Sequence, residues 1–496
     1  MSRNAANQSG QPFDPAQWAS LQEAARLIDQ ARREKRLIAV WGHDDIDGIA
    51  STAIMLDALD DGSIYYIPPK TGTHYGLDRA IIDQLLDRGV SLLITVDSGI
   101  SSLEEAEYAA SRGLELVITD HHELPGKLPQ ARCLVNPKMP EEKKPSIHLS
   151  GAGVALYLAA AVDGESSEGW LTRKPSRTAW AALATVSDRV PLIEDNRHII
   201  RAGLPFLQTD QAFVRLNDLL GISNVHGLSP KIVSQTYVGL LSSNISRGFS
   251  HETLELLRGS FDQDRWKHLY AEEQLWLNRM EDEVAAKTAL ALADDQPLKL
   301  IVDRQLPWSL VGPVAGGVRD RTGCPVVIIG NKNGLSAGEC RGFEPFDFVS
   351  MLNDLKDHFV QYGGHKPAAG FTIREGREEE LLAALRGYGH KKKELILSSK
   401  PAERTDHELS GLEEIEAMLS KVKDQAPYGP GNRPPVFHIK DISLPEYCQS
   451  GDRYWLKYLL ANRRNQDFKR YDCHCTLDVT HLDNFYLDII SISPIS

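Results

Sequence analysis

Cysteine is scarce in this chain, with six among 496 residues, at positions 133, 324, 340, 448, 473 and 475. So few scattered thiols do not make a disulfide framework for a chain of this length. Long apolar runs are also missing: no stretch approaches the roughly 18 residues needed to cross a bilayer. Residues 1–17 are polar and hold no apolar signal core, so residues 1–19 read as a disordered lead-in and the chain as cytoplasmic, with no membrane partner. Nor is there an excess of positive charge. A formal net charge of −13 argues against a protein that coats nucleic acid over its whole surface. It leaves room for a local basic groove, and bound cations would offset acids gathered in a site.

What remains is an ordinary globular composition, 42% hydrophobic and 25% charged, long enough for about three domains. Residues 20–205 alternate short apolar runs with amphipathic stretches (Ile49–Leu59, Leu103–Ser111, Ala152–Val162), the pattern of a parallel sheet with helices on both faces. Residues 206–295 lose the strand pattern and read as a helical connector, with one long helix over Arg265–Leu290. Strand-like runs return at Leu300–Val302 and Pro325–Ile329, giving a second, smaller α/β domain over 296–390. Residues 391–430 read as a linker containing a short helix, Leu412–Val422. Short strands over Val436–Ile439, Tyr454–Leu460, Tyr471–Val479 and Phe485–Ile492 suggest a small OB-like β-barrel over 431–496.

Three of the apolar runs in the first domain end in metal-binding side chains. Leu37–Val40 leads into His43-Asp44-Asp45-Ile46-Asp47-Gly48, Leu92–Val96 into Asp97, and Leu114–Ile118 into Asp120-His121-His122. Ligands of open α/β sheets bind beyond the carboxyl ends of the strands, so these donors would share one cluster. Asp45 and Asp47, two apart on a tight turn, can face one ion or bridge two. Carboxylate-rich donors suit manganese or magnesium better than zinc. Two such ions about 4 Å apart would clamp an attacking water and a phosphoryl oxygen. A fourth apolar segment, Ala182–Val186, delivers Asp188, which spacing alone does not separate from a helix terminus.

These four segments resemble the motifs of the DHH phosphoesterase family. Tyr75-Gly76-Leu77, Val135-Asn136-Pro137, Gly151–Ala155 and Asn196-Arg197 with Gly203-Leu204 are similar to segments of its single-strand exonuclease branch. Tyr362–Gly370 resembles the Gly-Gly-His signature of the DHH-associated domain, and Ala426–Asn432 resembles the approach to that branch's OB-fold. The resemblance runs from about residue 36 to the end. It implies Asp45, Asp47, Asp97, His121 and Asp188 as ligands of two divalent ions, manganese foremost, with His43 beside them where many bacterial members carry Asp. It implies catalytic roles for His122, His121 and Asp47. It places Arg341, Gly363, Gly364 and His365 on the substrate phosphates; glycine has no side chain to block that approach, and the arginine fork matches a phosphate. Leu241–Arg247 only loosely matches a family segment that contains Asn and Arg.

Aromatic and basic residues interleave in the C-terminal segment: Tyr454, Trp455, Lys457, Tyr458, Arg463, Arg464, Phe468, Lys469, Arg470 and Tyr471. They could stack and steer a single strand, or form a barrel core and a solvated loop. Cys473-His474-Cys475 reads as an alternating strand, with a zinc site as the rival reading. The function implied by the resemblance is a metal-dependent 5′ to 3′ single-stranded DNA exonuclease in repair or recombination. A cleft between its two α/β domains would admit a single strand and exclude a duplex. RNA as substrate, and repair or replication proteins as partners, stay open. The rivals are a phosphodiesterase of short oligonucleotides or cyclic dinucleotides, and an inactive scaffold in a replication or repair complex.

Overall fold

The structure, a computed structural model, describes residues 11–59, 62–69, 76–140, 143–165, 169–221, 227–246, 248–343, 346–398, 405–446, 448–462 and 467–495. The chain divides into two compact units, 1–270 with 405–496, and 271–404. Among the described residues no helix is long and apolar enough to cross a membrane.

The first unit is built on β1 (Leu37–Trp41), β2 (Ile64–Tyr66), β3 (Val90–Thr95), β4 (Glu115–Thr119) and β5 (Cys133–Val135), in spatial order β2-β1-β3-β4-β5. Every pairing is parallel. The crossovers are α2 (Ile46–Leu59), α3 (Arg79–Asp87) and α4 (Leu103–Ser111), with α1 (Ala19–Arg33) preceding the sheet. Strands β1, β3 and β4 are almost wholly buried, as strands covered by helices on both faces must be, whereas the edge strand β2 is half-buried. Strand order reverses between β1 and β3, and such a switch point opens a crevice at the carboxyl ends of the strands.

Helices α5 (Gly151–Val162), α6 (Pro175–Ser187) and α7 (Glu194–Thr209) complete the layer. Both α2 and α5 are buried along nearly their whole length, so they are apolar all round rather than amphipathic. The lead-in expected over 1–19 is packed from Phe13 onward. The Phe13 amide donates to Asp195 Oδ1 at 2.8 Å, and Trp18 is fully buried. Asp195 also accepts from the Ser146 amide and the Tyr157 hydroxyl, tying three distant segments to the start of α7.

Beyond α7, described residues fold into short helices and then one long helix, Gln263–Leu292. The C-terminal residues form β11 (His407–Leu409), β12 (Val436–Pro445), β13 (Arg453–Trp455), β14 (Phe468–Val479) and β15 (Phe485–Pro494), in order β11-β12-β14-β15-β13. The expected barrel is an open sheet: among the described residues the outer strands β11 and β13 do not pair. The strand expected over Tyr454–Leu460 ends at Trp455 and turns into the helix Leu456–Asn462, because Leu456 and Leu459 bury at helical rather than alternating spacing. This sheet docks on the parallel-sheet domain. The Leu192 amide donates to the Pro430 carbonyl at 2.7 Å, and the Arg197 guanidinium donates to the carbonyls of Asp424 and Gln425 at 2.6 and 2.7 Å.

The second unit holds a mixed sheet of β6 (Lys299–Val302), β7 (Val326–Lys332), β8 (Leu335–Arg341), β9 (Phe359–His365) and β10 (Ala368–Ile373), ordered β6-β7-β8-β10-β9. β6 and β7 pair parallel and the others antiparallel. Asn333 and Gly334, both at positive φ, make the two-residue turn between β7 and β8. Helix α8 (Trp308–Thr322) packs on this sheet.

Replacing Asp195 by alanine strands three buried donors, each worth about 1 kcal/mol or more. Asp195→Ala should lower the unfolding free energy by about 3 kcal/mol, read as a reduced urea midpoint. An unchanged midpoint would contradict this account of the first unit.

Candidate metal centre

The chain leaves β1 through a turn and enters α2 at Ile46. Asp45 Oδ1 accepts from the Gly48 amide at 2.9 Å, closing that turn. A Cβ on Gly48 would stand 2.3 Å from His43 Cβ, so glycine is required where the helix starts against its own approach. The Asp47 carboxylate points inward, only 2% exposed, and accepts from the amides of Gly151 and Ala152, each at 2.7 Å. These are the first amides of α5, whose partial positive charge favours an anion.

Asp97 follows β3 with φ of +56°, a left-handed conformation uncommon for a residue other than glycine. It too is 2% exposed. A Cβ on Gly151 would fall 2.4 Å from Asp97 Oδ1, so only glycine lets α5 begin this close. His121, after β4, holds its Nε2 at 3.1 Å from Asp97 Oδ1, 3.7 Å from Asp47 Oδ2 and 3.6 Å from Asp188 Oδ2. His43 Nδ1 lies 3.0 Å from Asp45 Oδ2 and 3.8 Å from Asp97 Oδ2. Asp188 caps the carboxyl end of α6, where the helix dipole disfavours a carboxylate.

Two trios, His43-Asp45-Asp97 and Asp47-His121-Asp188, each bring one donor atom per residue within 4.8 Å of the others. Asp97 Oδ1 and His43 Nδ1 are buried and make no hydrogen bond of good geometry; their nearest polar contacts are His121 Nε2 at 3.1 Å and Asp45 Oδ2 at 3.0 Å. Buried lone pairs without good donors are costly, and a divalent cation held by these residues would offset that cost. Mostly carboxylate oxygen with two imidazoles fits manganese or magnesium.

Burial, followed by the charges of Asp188 and Asp45, raises the Asp47 carboxyl well above its usual range. Burial, followed by Asp47 and Asp45, does the same to Asp97. Burial, with Asp45 next, pushes Asp188 up to about 6. Burial lowers His121 to about 4, keeping it neutral and able to ligate. His122 moves the other way, raised by its hydrogen bond to Asp120 despite partial burial.

Sequence reasoning placed His43, Asp45, Asp47, Asp97, His121 and Asp188 in one cluster, and the structure brings them together. His122 stands at its rim, 57% exposed, with Nδ1 2.7 Å from Asp120 Oδ1. Asp120 itself was missed as a functional residue. Its Oδ1 also accepts from the amides of His121 and His122, and its Oδ2 from that of Ile100, so it sets the loop that carries both imidazoles. Asn136 braces the same loop by donating to the His122 carbonyl at 3.0 Å. The α5 amides were missed too; the Ser-Gly-Ala-Gly run at 150–153 is the signal of an exposed helix start.

The residues expected on the substrate phosphates lie in the second unit. Arg341 ends β8, in register with Ala368, which is in register with His365. Its Nη1 donates to Glu339 Oε2 at 2.9 Å. Gly363 and Gly364 lie on β9, an edge strand, where outward amides lack a ladder partner. A Cβ on Gly364 would meet the Ala368 carbonyl oxygen at 2.5 Å, whereas one on Gly363 would meet nothing within 4 Å. Position 364 thus answers to the backbone, and position 363 leaves an open approach. The His365 side chain, Tyr75, Arg247, Arg463 and Arg464 lie outside the described residues. Tyr471 is core rather than platform: it is buried and donates to the Glu446 carbonyl.

With Asp188 raised from an unfolded value of about 3.9, the metal-free fold holds more protons than the unfolded chain between about pH 4 and 6. Stability from the cluster therefore falls as pH rises through that window, and a cation should restore it. Saturating manganese should raise the Tm by roughly 5 °C at about pH 7.5 and by much less at about pH 5. Equal shifts at the two pH values would contradict the assignment. Gly151→Ala, by crowding Asp97, should weaken manganese binding at least about tenfold in a calorimetric titration, a loss of roughly 1.4 kcal/mol.

Comparison with known proteins fits this geometry. The DHH family, N-terminal domain, matches residues 37–185, from β1 into α6 and just short of Asp188. The single-stranded-DNA-specific exonuclease RecJ of Bacillus subtilis (strain 168) is 28% identical over 481 residues, covering 92% of this chain and 58% of that protein. The chain thus spans under two thirds of that relative's length. The structure of RecJ in complex with Mn2+ from Thermus thermophilus aligns with a TM-score of 0.72 at 22% identity, over 97% of this chain and 72% of that one. A structure of exonuclease RecJ bound to manganese aligns with a TM-score of 0.62 at 25% identity, over 77% of this chain and 97% of that one. Motifs, fold and relatives agree in one direction: residues 37–185 match the DHH N-terminal domain, and the chain is similar to RecJ proteins over most of its length.

Proposed function

We propose that this chain is a metal-dependent exonuclease that hydrolyses single-stranded DNA from its 5′ end and releases nucleotides, acting in the cytoplasm in repair or recombination. The observation that carries this reading is the convergence of Asp45, Asp47, Asp97, Asp188, His121 and His43, whose donor atoms lie within reach of a common cation. The relatives named as single-stranded-DNA-specific exonucleases, and the RecJ structure bound to manganese, support it. The six residues would hold two divalent ions, manganese or magnesium. When bound, such ions activate water and stabilise charge developing on a phosphoryl group.

The protein's own groups do the rest. The α5 amides hold Asp47 in one orientation and share its charge. Asp120 fixes the His122 ring and favours its protonated form, so that imidazolium can donate to a phosphate oxygen or to the leaving oxygen. Arg341, the Gly363 and Gly364 amides and His365 would bind phosphate beside the scissile bond. The C-terminal sheet, read as an OB-like module, would offer bases Tyr458, 44% exposed, and Trp455 beside Lys457.

DNA labelled at either end tests this. With manganese, the 5′ label should leave as mononucleotide while the 3′ label stays on shortened strands, and a chelator should stop both. His122→Ala should cut turnover about 100-fold while the manganese-induced Tm shift persists. Cleavage that survives chelation, or release of the 3′ label first, would overturn the proposal.

A further inference from the structure

His438 on β12 lies directly opposite His474 on β14 in the antiparallel ladder. Their imidazoles stack with centroids 4.2 Å apart and planes within 4°. Asp472, two residues before His474 and so on the same face of the strand, places Oδ1 2.8 Å from His438 Nε2. One donor atom from each of the three lies within 4.8 Å of the others. The thiols flanking His474 take no part: Cys473 and Cys475 are wholly buried on the opposite face. The sequence hint at Cys473-His474-Cys475 thus resolves into one outward histidine joined by a cross-strand histidine and an aspartate.

We propose that His438, Asp472 and His474 form a second cation site, separate from the carboxylate cluster, that takes a borderline transition metal of the zinc class. Two imidazoles and one carboxylate are the donor set of open zinc sites, with the fourth position left to water. Donors about 2.0–2.1 Å from a tetrahedral ion stand about 3.3 Å apart. His438 and Asp472 are already near that separation, and a donor atom of His474 lies within 4.8 Å of both. Both ring nitrogens of His474 have a hydroxyl in reach, so whichever one does not ligate keeps a support. Thr405 Oγ1 lies 3.2 Å from His474 Nε2, and Ser491 Oγ lies 3.3 Å from Nδ1. Such outer partners orient ligating imidazoles. Solvent reaches the site, since the His438 and Asp472 side chains are 19% and 40% exposed. Donor chemistry separates the two centres: the carboxylate cluster suits manganese or magnesium, while this nitrogen-rich trio suits zinc, cobalt or nickel. An ion here would cross-link β12 to β14.

Cobalt(II), a visible stand-in for zinc, tests this in full-length protein carrying Asp97→Asn and Asp188→Asn, which disable the carboxylate cluster. One equivalent should bind with a Kd below about 100 µM, give a d–d absorption band, and be displaced by zinc. Adding His474→Asn should abolish the band. In the otherwise native protein, the pair His438→Asn and His474→Asn should remove the Tm rise caused by zinc and leave that caused by manganese, which also reports that the variant folds. No saturable cobalt binding in the Asp97→Asn, Asp188→Asn protein, or a band that persists with His474→Asn, would overturn the proposal.

Discussion

Two carboxylates, Asp47 and Asp97, are buried side by side with no cationic side chain on either, and the first unit is arranged around that constraint. Burying an acid is costly unless something offsets its charge. Asp47 has the α5 amides; Asp97 has only the edge of His121, and its Oδ1 accepts no hydrogen bond of good geometry. The fold holds them together through covalent and steric devices. The order β2-β1-β3-β4-β5 sets the ends of β1 and β3 next to each other. Gly48 and Gly151 let helix starts approach closer than any side chain would permit.

The residues of the centre divide by burial. Those that face the cluster have their carboxyls raised and the His121 imidazole lowered by burial, whereas Asp120 spends its oxygens on backbone amides and on His122. Neighbouring histidines therefore differ in kind. His121 is buried and neutral, suited to a metal; His122 is exposed at the rim and its protonated form is favoured, which suits a phosphate. Asp188 links this centre to the C-terminal sheet, because the residues just after it, Pro191 to Ile193, pack against Gly429 and Gly431.

The parallel sheet and the clustering of acids and imidazoles at its edge were legible in sequence because buried strands are continuous apolar runs, and the three runs Leu37–Val40, Leu92–Val96 and Leu114–Ile118 end in those side chains. Long-range hydrogen bonds were not legible: nothing near Asp47 announces that its partners are amides at 151 and 152. Asp188 stayed ambiguous because the element that delivers it is a helix terminus rather than a strand end. In the second unit, β8 reads Leu-Ser-Ala-Gly-Glu-Cys-Arg and shows no apolar run, although the Asn333-Gly334 turn before it is a hairpin signal. The C-terminal strands suggest a barrel by their number, but number says nothing about whether the outer strands meet. The pairing of His438 with His474 depends on strand register, which local pattern does not fix.

The central claim is that the six residues around Asp47 and Asp97 hold two divalent cations. Diffraction from crystals soaked in manganese, recorded at the manganese absorption edge, tests it directly. The account predicts two anomalous peaks about 4 Å apart, one bordered by His43, Asp45 and Asp97 and the other by Asp47, His121 and Asp188. A protein that diffracts well but shows no anomalous peak among these residues would contradict it.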